Sequence, residues 1–392
     1  MIFNTWDYYL LFLLPASVVF RIARPSIRPW ILAVTGSLFF AYFSYTQLGG
    51  AVGAACLLIF LWESFVSRFY KPNSWFCIFG VVQTVLFLAV FKYRNFLSGI
   101  VWSDSAHNPL YWKNAFLPLG ISFFTFEFLH YAWDRYRGKT ETGSVGEYMA
   151  FILFFPTMVA GPIKRYQDFL PKLRGVSDSW LLDWHRGITR ILAGLVKKFA
   201  IADLLTAYTN HLNIPDISVA SRAVLPLWLL AYGLKIYTDF SAYSDIAIGS
   251  ARLFGIRVPE NFDWPYLQTN ITDFWRRWHI SLSSWLLDYV YIPLGGSRVG
   301  VPRIYFNLFL TMFISGPWHG AGFNFIIWGV LHGSMLAIHR WWRHRPGFSP
   351  SSSPAVRVAS GLFTFACVNL AWAFFCMDIH TALFFFSRLL WG

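Results

Sequence analysis

The stretch Trp75-Phe-Cys-Ile-Phe-Gly-Val-Val-Gln-Thr-Val-Leu-Phe-Leu-Ala-Val-Phe91 contains no charged residue. A helix needs about 20 predominantly apolar residues to cross the hydrocarbon core of a bilayer. Comparable runs recur along the chain at residues 8–20, 30–45, 51–66, 116–133, 148–159, 181–200, 222–253, 304–314, 324–338, 356–375 and 381–391. The pattern predicts an all-α, polytopic integral membrane protein with roughly ten to twelve membrane helices, including re-entrant or interfacial segments.

The composition supports this prediction. Of 392 residues, 56% are hydrophobic and only 13% are charged, against about 25% charged in a typical soluble domain. Aromatic residues make up 20% of the chain, which suits lipid-facing surfaces and interfacial belts. No soluble-looking block separates the apolar runs, so we expect a single membrane domain over residues 1–392.

The net charge of +13 has two interpretations, a nucleic-acid partner or loops facing an anionic membrane surface. The basic residues fall between the apolar runs, which favours the lipid bilayer as the partner and argues against nucleic acid. Alternate loops carry the charge, and the positive-inside rule places them in the cytoplasm. These residues are Arg21, Arg24, Arg28, Arg68, Lys71, Arg135, Arg137 and Lys139.

Charged residues also interrupt the long apolar run 222–253. Lys235 and Asp239 stand four residues apart, so on a helix they share a face and are predicted to pair. Asp245 has no basic residue at helical spacing nearer than Arg252, so we expect it to face a polar cavity and bind substrate. An ionised carboxylate at mid-bilayer costs about 2.5–3.5 kcal/mol on insertion scales, and structural pairing or transport would also explain these residues.

The segment 270–289 has a mixed pattern that predicts an amphipathic or re-entrant helix. At 100° per residue its apolar side chains share one arc: Phe274, Trp278, Leu282, Trp285 and Tyr289. Arg277, Ser281, Ser284 and Asp288 lie on another side. This polar face predicts contact with water or a ligand, and we take Arg276, Arg277 and Asp288 as candidate binding residues. His279 lies on neither arc and is either a satisfied interfacial histidine or a catalytic one.

A third feature is Ser315-Gly-Pro-Trp-His319-Gly-Ala-Gly322. Its Gly and Pro residues predict a break in the helix, which is tolerated at membrane depth only where it is buried or lines a cavity. A histidine on such a break is suited to general-base work, although a core histidine bonded to a freed carbonyl is the alternative. His332 follows thirteen residues later, about 20 Å along the axis if one helix intervenes, so it is the secondary candidate.

These segments resemble the membrane-bound O-acyltransferase superfamily, and within it the bacterial branch that includes alginate O-acetylation and teichoic acid D-alanyl transfer proteins. The similarity covers residues of about 110–345. The segments that carry it are Gly120–Phe126, Phe154–Tyr166, Tyr243–Asn261, Phe274–Ser281, Asp288–Gly296, Trp318-His-Gly320 and Leu331-His-Gly333. The resemblance implies peripheral N-terminal spans over residues 1–110, a catalytic core over 111–345 and C-terminal spans over 356–392.

The resemblance also implies helices around a central funnel that ends near His319, with His279 towards its cytoplasmic end. We therefore expect His319 and His279 to be catalytic, and Trp318, Arg276, Arg277, Asp245, Asp288 and His332 to bind substrate. The implied acyl donor is a cytoplasmic thioester, acetyl-coenzyme A or a carrier-protein thioester, with no permanently bound cofactor and no metal.

The implied activity is O-acetylation of an extracytoplasmic polysaccharide at the bacterial inner membrane, through a periplasmic or membrane-anchored acetyltransferase partner. D-alanyl or other acyl transfer to a cell-wall polymer is one alternative. A glycan or small-molecule transporter is another, although paired broken helices in corresponding halves are not evident. The sequence has no P-loop, dinucleotide fingerprint or zinc motif, which argues against an ATP-driven pump and a Rossmann enzyme.

Overall fold

The computed structural model describes residues 2–102, 108–113, 116–176, 179–347 and 353–392. These residues form helices and connecting turns, and the β-structure among them is one isolated bridge between Phe262 and Trp278. The chain divides into two compact units. Unit 1 comprises residues 1–195 and 243–259, and unit 2 comprises residues 196–242 and 260–392. The boundaries predicted at residues 110, 345 and 356 remain predictions.

The helices of unit 1 follow most of the predicted apolar runs within a few residues. They are Ile2–Asn4, Tyr8–Ile22, Arg28–Leu48, Gly50–Ser67, Trp75–Val101, Ile121–Tyr136, Val145–Ile152, Phe155–Met158 and Tyr166–Arg174. Two further helices, Trp180–Lys197 and Leu225–Leu253, contribute residues to both units. The predicted run 148–159 is wrong as a single span. Pro156 lies in the first turn of a new helix, a position that proline favours.

Unit 2 contains both short and long helices, most of them from the second half of the chain. Its helices are Asp203–Thr209, Ile214–Val219, Pro265–Leu267, Ile271–Arg277, Ile280–Leu286, Val301–His319, Phe323–His344, Pro354–Cys376 and Ile379–Trp391. Single π-helical segments occur at Lys198–Ala202 and Leu287–Tyr291. The core of this unit is aromatic, with Trp328, Trp372 and Phe385 almost fully buried.

Two helices are long and apolar enough to cross a membrane, Trp75–Val101 and Pro354–Cys376. Three shorter helices are also apolar, Tyr8–Ile22, Gly53–Ser67 and Ile379–Trp391. The all-α prediction is confirmed for the described residues. The number of membrane spans, ten to twelve, and the central funnel remain predictions.

Several buried charges in unit 1 form ion pairs. Lys164 Nζ lies 2.5 Å from Glu127 Oε1, with both side chains at most 5% exposed, and the ammonium lies 4.7 Å from the ring centroid of Phe151. Asp183 forms ion pairs with both Arg21 and Arg252, each at 2.8 Å. Taking a charge out of water is costly unless a partner compensates it, so these pairs allow the charges to be buried.

Charged residues on the helix Leu225–Leu253 have partners that their spacing did not predict, and the predicted Lys235–Asp239 pair is wrong. Asp245 does not stand alone, because its Oδ1 pairs at 2.6 Å with Arg190 of unit 1. Asp239 pairs with Lys198 at 2.9 Å, whereas Lys235 donates to Thr209 at 3.2 Å. Helical spacing permits the predicted Lys235–Asp239 pair, but a lysine from another segment competes for the same carboxylate.

Candidate functional site

The helices Val301–His319 and Phe323–His344 form an antiparallel pair, called here the glycine hairpin. Gly320 and Gly322 between them are extended, so the predicted backbone break is present and lies after His319. A Cβ built on Gly329 would lie 2.6 Å from the carbonyl oxygen of Met312, and one on Gly333 would lie 2.9 Å from that of Phe309. Small residues at such positions let two helix backbones approach closely.

The hairpin brings His319 and His332 near each other. The buried ring of Trp328 lies 5.0 Å from the His319 ring and 4.7 Å from the His332 ring, measured between centroids. The two imidazole centroids are therefore no more than about 10 Å apart. The predicted separation of about 20 Å is wrong, since it assumed one straight helix between them.

His319 is the last residue of its helix. Its ring contacts Trp318, Trp328 and Phe375 at centroid distances of 4.7, 5.0 and 5.0 Å. The residue is partly exposed rather than sealed. A partly exposed imidazole with aromatic neighbours is accessible to a reactant and shielded from bulk water on several sides.

His332 is fully buried between aromatic rings. The indole N–H of Trp275 donates to its Nδ1 at 3.2 Å, and the two ring centroids lie 5.1 Å apart. Trp372 lies 6.1 Å away on another side. His332 therefore belongs to a cluster of rings formed with Trp275, Trp328 and Trp372, called here the aromatic wall. Trp328 joins this wall to His319.

The segment predicted as one helix over residues 270–289 is broken at its centre. One helix ends at Arg277, and the next begins at Ile280. Trp278 is extended, and His279 adopts the left-handed conformation at φ 44° and ψ 55°. That conformation costs a residue with a Cβ roughly 1–2 kcal/mol, so the continuous helix is a wrong prediction.

Asn261 holds the broken segment together. Its backbone carbonyl accepts from the N–H of Ile280 at 2.9 Å, and its side-chain oxygen accepts from Ser281 Oγ at 2.6 Å. Phe262 forms the isolated bridge with Trp278. These contacts satisfy backbone groups that a continuous helix would have satisfied internally, and they fix His279 at the break.

The imidazole of His279 is 1% exposed. Phe240 lies edge-on at 4.7 Å between centroids, and Trp318 lies at 6.1 Å. Neither ring nitrogen has a hydrogen-bond partner in the described parts of the chain. A buried imidazole without partners on a strained backbone is the kind of outlier that clusters at functional sites.

Two of the candidate polar residues, Arg276 and Arg277, form exposed ion pairs instead of lying among buried rings. Arg276 pairs with Asp273 at 3.1 Å and is 70% exposed, and Arg277 pairs with Asp263 at 2.9 Å. Asp288 lies partly buried in the π-helical segment Leu287–Tyr291.

Unit 2 thus joins His279, Trp318, His319 and His332 through successive ring contacts, while Asp245 lies in unit 1. Sequence reasoning missed Trp275, Trp328 and Phe375 of this aromatic cluster. Trp328 stands four residues before His332, and that spacing places both on one helix face. Within the described residues, no group of three or more metal-ligating side chains is placed to hold an ion.

Comparison with known proteins places this chain in a family. Residues 51–379 match the membrane-bound O-acyltransferase family. The chain is 36% identical over 397 residues to the probable alginate O-acetylase AlgI of Pseudomonas putida, covering 97% of this chain and 79% of that protein. It is 34% identical to the peptidoglycan O-acetyltransferase of Helicobacter pylori, covering 90% and 72%.

A teichoic acid D-alanyltransferase of Bacillus subtilis is 31% identical and covers 82% of this chain and 87% of its own length. The three relatives differ in the group they transfer and in the polymer they modify, but all three are named as acyl-transfer enzymes. The chain therefore belongs to the membrane-bound O-acyltransferase family and is an acyltransferase.

Proposed function

We propose that this protein takes an acetyl group from a cytoplasmic thioester and passes it across the bacterial inner membrane for O-acetylation of an extracytoplasmic polysaccharide. The proposal is supported by the alginate O-acetylase and the peptidoglycan O-acetyltransferase, relatives that match at least 90% of this chain. The D-alanyltransferase matches a smaller share, 82%, so D-alanyl transfer to a cell-wall polymer is the second candidate.

A multi-pass arrangement around a central funnel is part of this proposal. It is supported by large apolar side chains that remain exposed on the helix Trp75–Val101, among them Ile78, Val82 and Leu86. Contiguous exposed apolar surface of this kind is typical of membrane interaction sites. Transfer across the bilayer would let the acyl group leave a cytoplasmic donor without the donor itself crossing.

His319 acts in this proposal as the general base. Its imidazole accepts the proton of an acceptor hydroxyl, whose oxygen attacks the carbonyl carbon of the thioester. The tetrahedral intermediate then collapses, the C–S bond breaks, and the imidazolium returns the proton to the departing thiolate. The products are an ester and a free thiol, and a positioned base typically contributes about 10²–10⁴-fold to the rate.

The single observation that carries this role is the position of His319 at the C-terminal end of the helix Val301–His319, partly exposed among Trp318, Trp328 and Phe375. The negative end of a helix dipole stabilises a nearby cation, such as the imidazolium formed during transfer. The aromatic rings exclude water, which strengthens electrostatic interactions at the reacting carbonyl and limits hydrolysis.

The remaining candidates receive supporting roles. His279 and Trp318, in ring contact with each other, line the approach to His319. Exposed Arg276 and Arg277 attract the phosphates of acetyl-coenzyme A, and Asp288 orients the donor. Asp245 has no role in the proposal because Arg190 already binds its carboxylate.

The final acceptor in this proposal is reached through a partner. A periplasmic or membrane-anchored acetyltransferase would receive the acetyl group and esterify the polysaccharide. This step rests on the family resemblance and on the polymer named for each relative.

The test is a matched pair of histidine variants in purified protein. His319→Ala is expected to lower thiol release from acetyl-coenzyme A by 10²-fold or more, the scale of general-base catalysis. His344→Ala changes an exposed histidine at the end of the other hairpin helix and serves as the control. Radiolabelled acetyl transfer should fall with thiol release, while the amount of folded protein stays equal.

Retained turnover in His319→Ala would remove this residue from the mechanism. A parallel assay with a D-alanyl carrier-protein thioester decides between the two acyl donors. Turnover with that donor alone would replace acetylation by D-alanylation.

A further inference from the structure

Two N–H groups in the aromatic wall behind His319 are buried and have no hydrogen-bond acceptor in the described structure. One is Trp328 Nε1, and the other is His332 Nε2. Both residues are 0% exposed, and their rings are in contact at 4.7 Å between centroids. The ring of Trp328 also contacts His319, so this pair of groups adjoins the proposed base.

The contact with Trp275 defines the tautomer of His332. An indole nitrogen is only a donor, and Trp275 Nε1 points at His332 Nδ1 at 3.2 Å. Nδ1 must then be the acceptor, and the neutral ring carries its proton on Nε2. His332 therefore presents an N–H donor to its surroundings, as Trp328 does.

Unpaired buried donors are rare in folded proteins, because each forfeits the hydrogen bonds that it made with water. Neighbouring indoles in the same unit are satisfied, since Trp275 donates to His332 and Trp372 donates to Tyr266 at 3.0 Å. A third buried polar atom without a partner, Ser315 Oγ, lies one helical turn before His319. Three such groups on one hairpin indicate a site that binds an oxygen atom.

We propose that Trp328 Nε1–H and His332 Nε2–H bind the carbonyl oxygen of the acyl thioester and stabilise the oxyanion that forms on it. This inference rests on the proposed function, because it assigns the donors for the carbonyl that His319 helps to attack. As the acceptor oxygen bonds to the carbonyl carbon, the C=O π electrons move to this oxygen. They return to re-form C=O when the C–S bond breaks, so the two donors exchange no proton.

An acyl oxygen fits these groups better than a hydroxyl or a cation does. Both groups are donors, so they pair with an atom that accepts two hydrogen bonds and carries growing negative charge. Donors aimed at such an atom in a water-excluded site are among the strongest contributors to acyl transfer. The ring contact between Trp328 and His319 lets one carbonyl adjoin both the base and the donors.

The first test is Trp328→Phe, which removes one N–H and keeps an aromatic ring. We expect kcat for thiol release from acetyl-coenzyme A to fall by about 10²–10³-fold, the usual effect of losing one oxyanion donor, with KM changed little. Thermal stability should fall no more than in the matched Trp184→Phe control, because deletion of an unsatisfied buried group offsets part of the packing lost with the smaller ring.

The matched control is Trp184→Phe. Trp184 Nε1 in unit 1 is another buried indole N–H for which the described residues offer no acceptor. Among the described residues its ring contact is with Trp180, which is 46% exposed, and not with a proposed base, so its replacement should leave kcat unchanged.

A second pair of variants tests His332 independently. His332→Gln keeps a side-chain N–H donor and is expected to retain more kcat than His332→Leu, which has none. The difference between the two should appear in kcat rather than in KM, since an oxyanion contact strengthens in the transition state.

Two results would overturn the inference. One is unchanged kcat in Trp328→Phe while His319→Ala is inactive, which leaves the proposed function intact. The other is a fall in thermal stability that parallels the loss of activity, which would mean that the two groups bind a structural water molecule instead. Absence of any thiol release by the unmodified protein would count against the proposed donor.

Discussion

The buried histidines of the two units differ in how many of their ring nitrogens form hydrogen bonds. In unit 1, His130 is fully buried, its Nδ1 lies 2.9 Å from the carbonyl oxygen of Phe126, and its Nε2 accepts from the N–H of Tyr166 at 3.1 Å. In the described part of unit 2, neither ring nitrogen of His279 forms a hydrogen bond, and one ring nitrogen of His332 does. The satisfied ring stabilises the fold. Each unsatisfied ring contacts a tryptophan that in turn contacts His319, namely Trp318 or Trp328, and leaves polar atoms available for a ligand. Pairing therefore distinguishes the scaffold from the candidate site.

If pairing stabilises the scaffold, substitution of a buried charged residue in unit 1 should lower the free energy of unfolding more than any other change considered below. Lys164→Met leaves Glu127 without its cation, and removal of one partner from a buried pair typically costs about 3–5 kcal/mol. The double variant Glu127→Gln with Lys164→Met should recover most of this loss, because no charge remains buried. Thermal unfolding in detergent measures both. Equal melting temperatures for the single variant and the unmodified protein would contradict the scaffold role.

The same substitution at two buried histidines sharpens the comparison directly. His130→Asn leaves the N–H of Tyr166 without its acceptor, whereas His279→Asn breaks no side-chain hydrogen bond among the described residues, and asparagine tolerates the left-handed backbone. Both variants lose similar side-chain volume. We expect His130→Asn to be less stable than His279→Asn by about 1–3 kcal/mol.

Thermal unfolding of the two variants side by side measures this difference. His130→Asn should retain its turnover per folded molecule. Equal destabilisation would show that hydrogen bonding does not separate the two histidines.

The smallest effect is expected where a pair is exposed. Glu147 lies in the first turn of an eight-residue helix, which is too short to span a membrane, and the hydrogen bond that it accepts from Arg174 lowers the pKa of its carboxyl group. The ion pair therefore stabilises the folded state fully above the ordinary glutamate pKa of about 4.3. This stabilisation is lost as the pH falls through the lower pKa that Glu147 has in the folded state. Arg174 is 48% exposed, so the pair is worth no more than about 1 kcal/mol.

Melting temperatures between pH 6 and pH 3 test this pair. The unmodified protein should exceed Arg174→Gln slightly at pH 6, and the two should converge towards pH 3. A gap that stays constant over this range would rule out titration of Glu147 as its source.

The sequence predicted the helices well because apolar runs report burial or lipid contact directly. The helix found at Trp75–Val101 contains the run that began the prediction, and the break after His319 follows its glycines. Both statements depend on local residue properties. Local properties also placed His319 next to an irregular backbone.

Non-local contacts explain what the sequence did not predict. The break at His279 depends on hydrogen bonds between Asn261 and residues 280 and 281. No periodic pattern of apolar residues in the sequence indicates such bonds. The Lys235–Asp239 pair fails because Lys198, thirty-seven residues before Lys235 in the sequence, reaches Asp239 instead. Gly329 and Gly333 do carry a usable signal, since two glycines four residues apart on an apolar helix predict close helix packing.

The hydrogen bonds from Ile280 and Ser281, next to His279, to Asn261 limit how this enzyme can be recombined with its relatives. Transplanting residues 270–289 alone into another family member would leave Ile280 and Ser281 facing a foreign loop. The bridge at Phe262 would also be lost. A chimaera must therefore exchange residues 260–291 as one block, with crossover points before Asn261 and after the π-helical segment that ends at Tyr291.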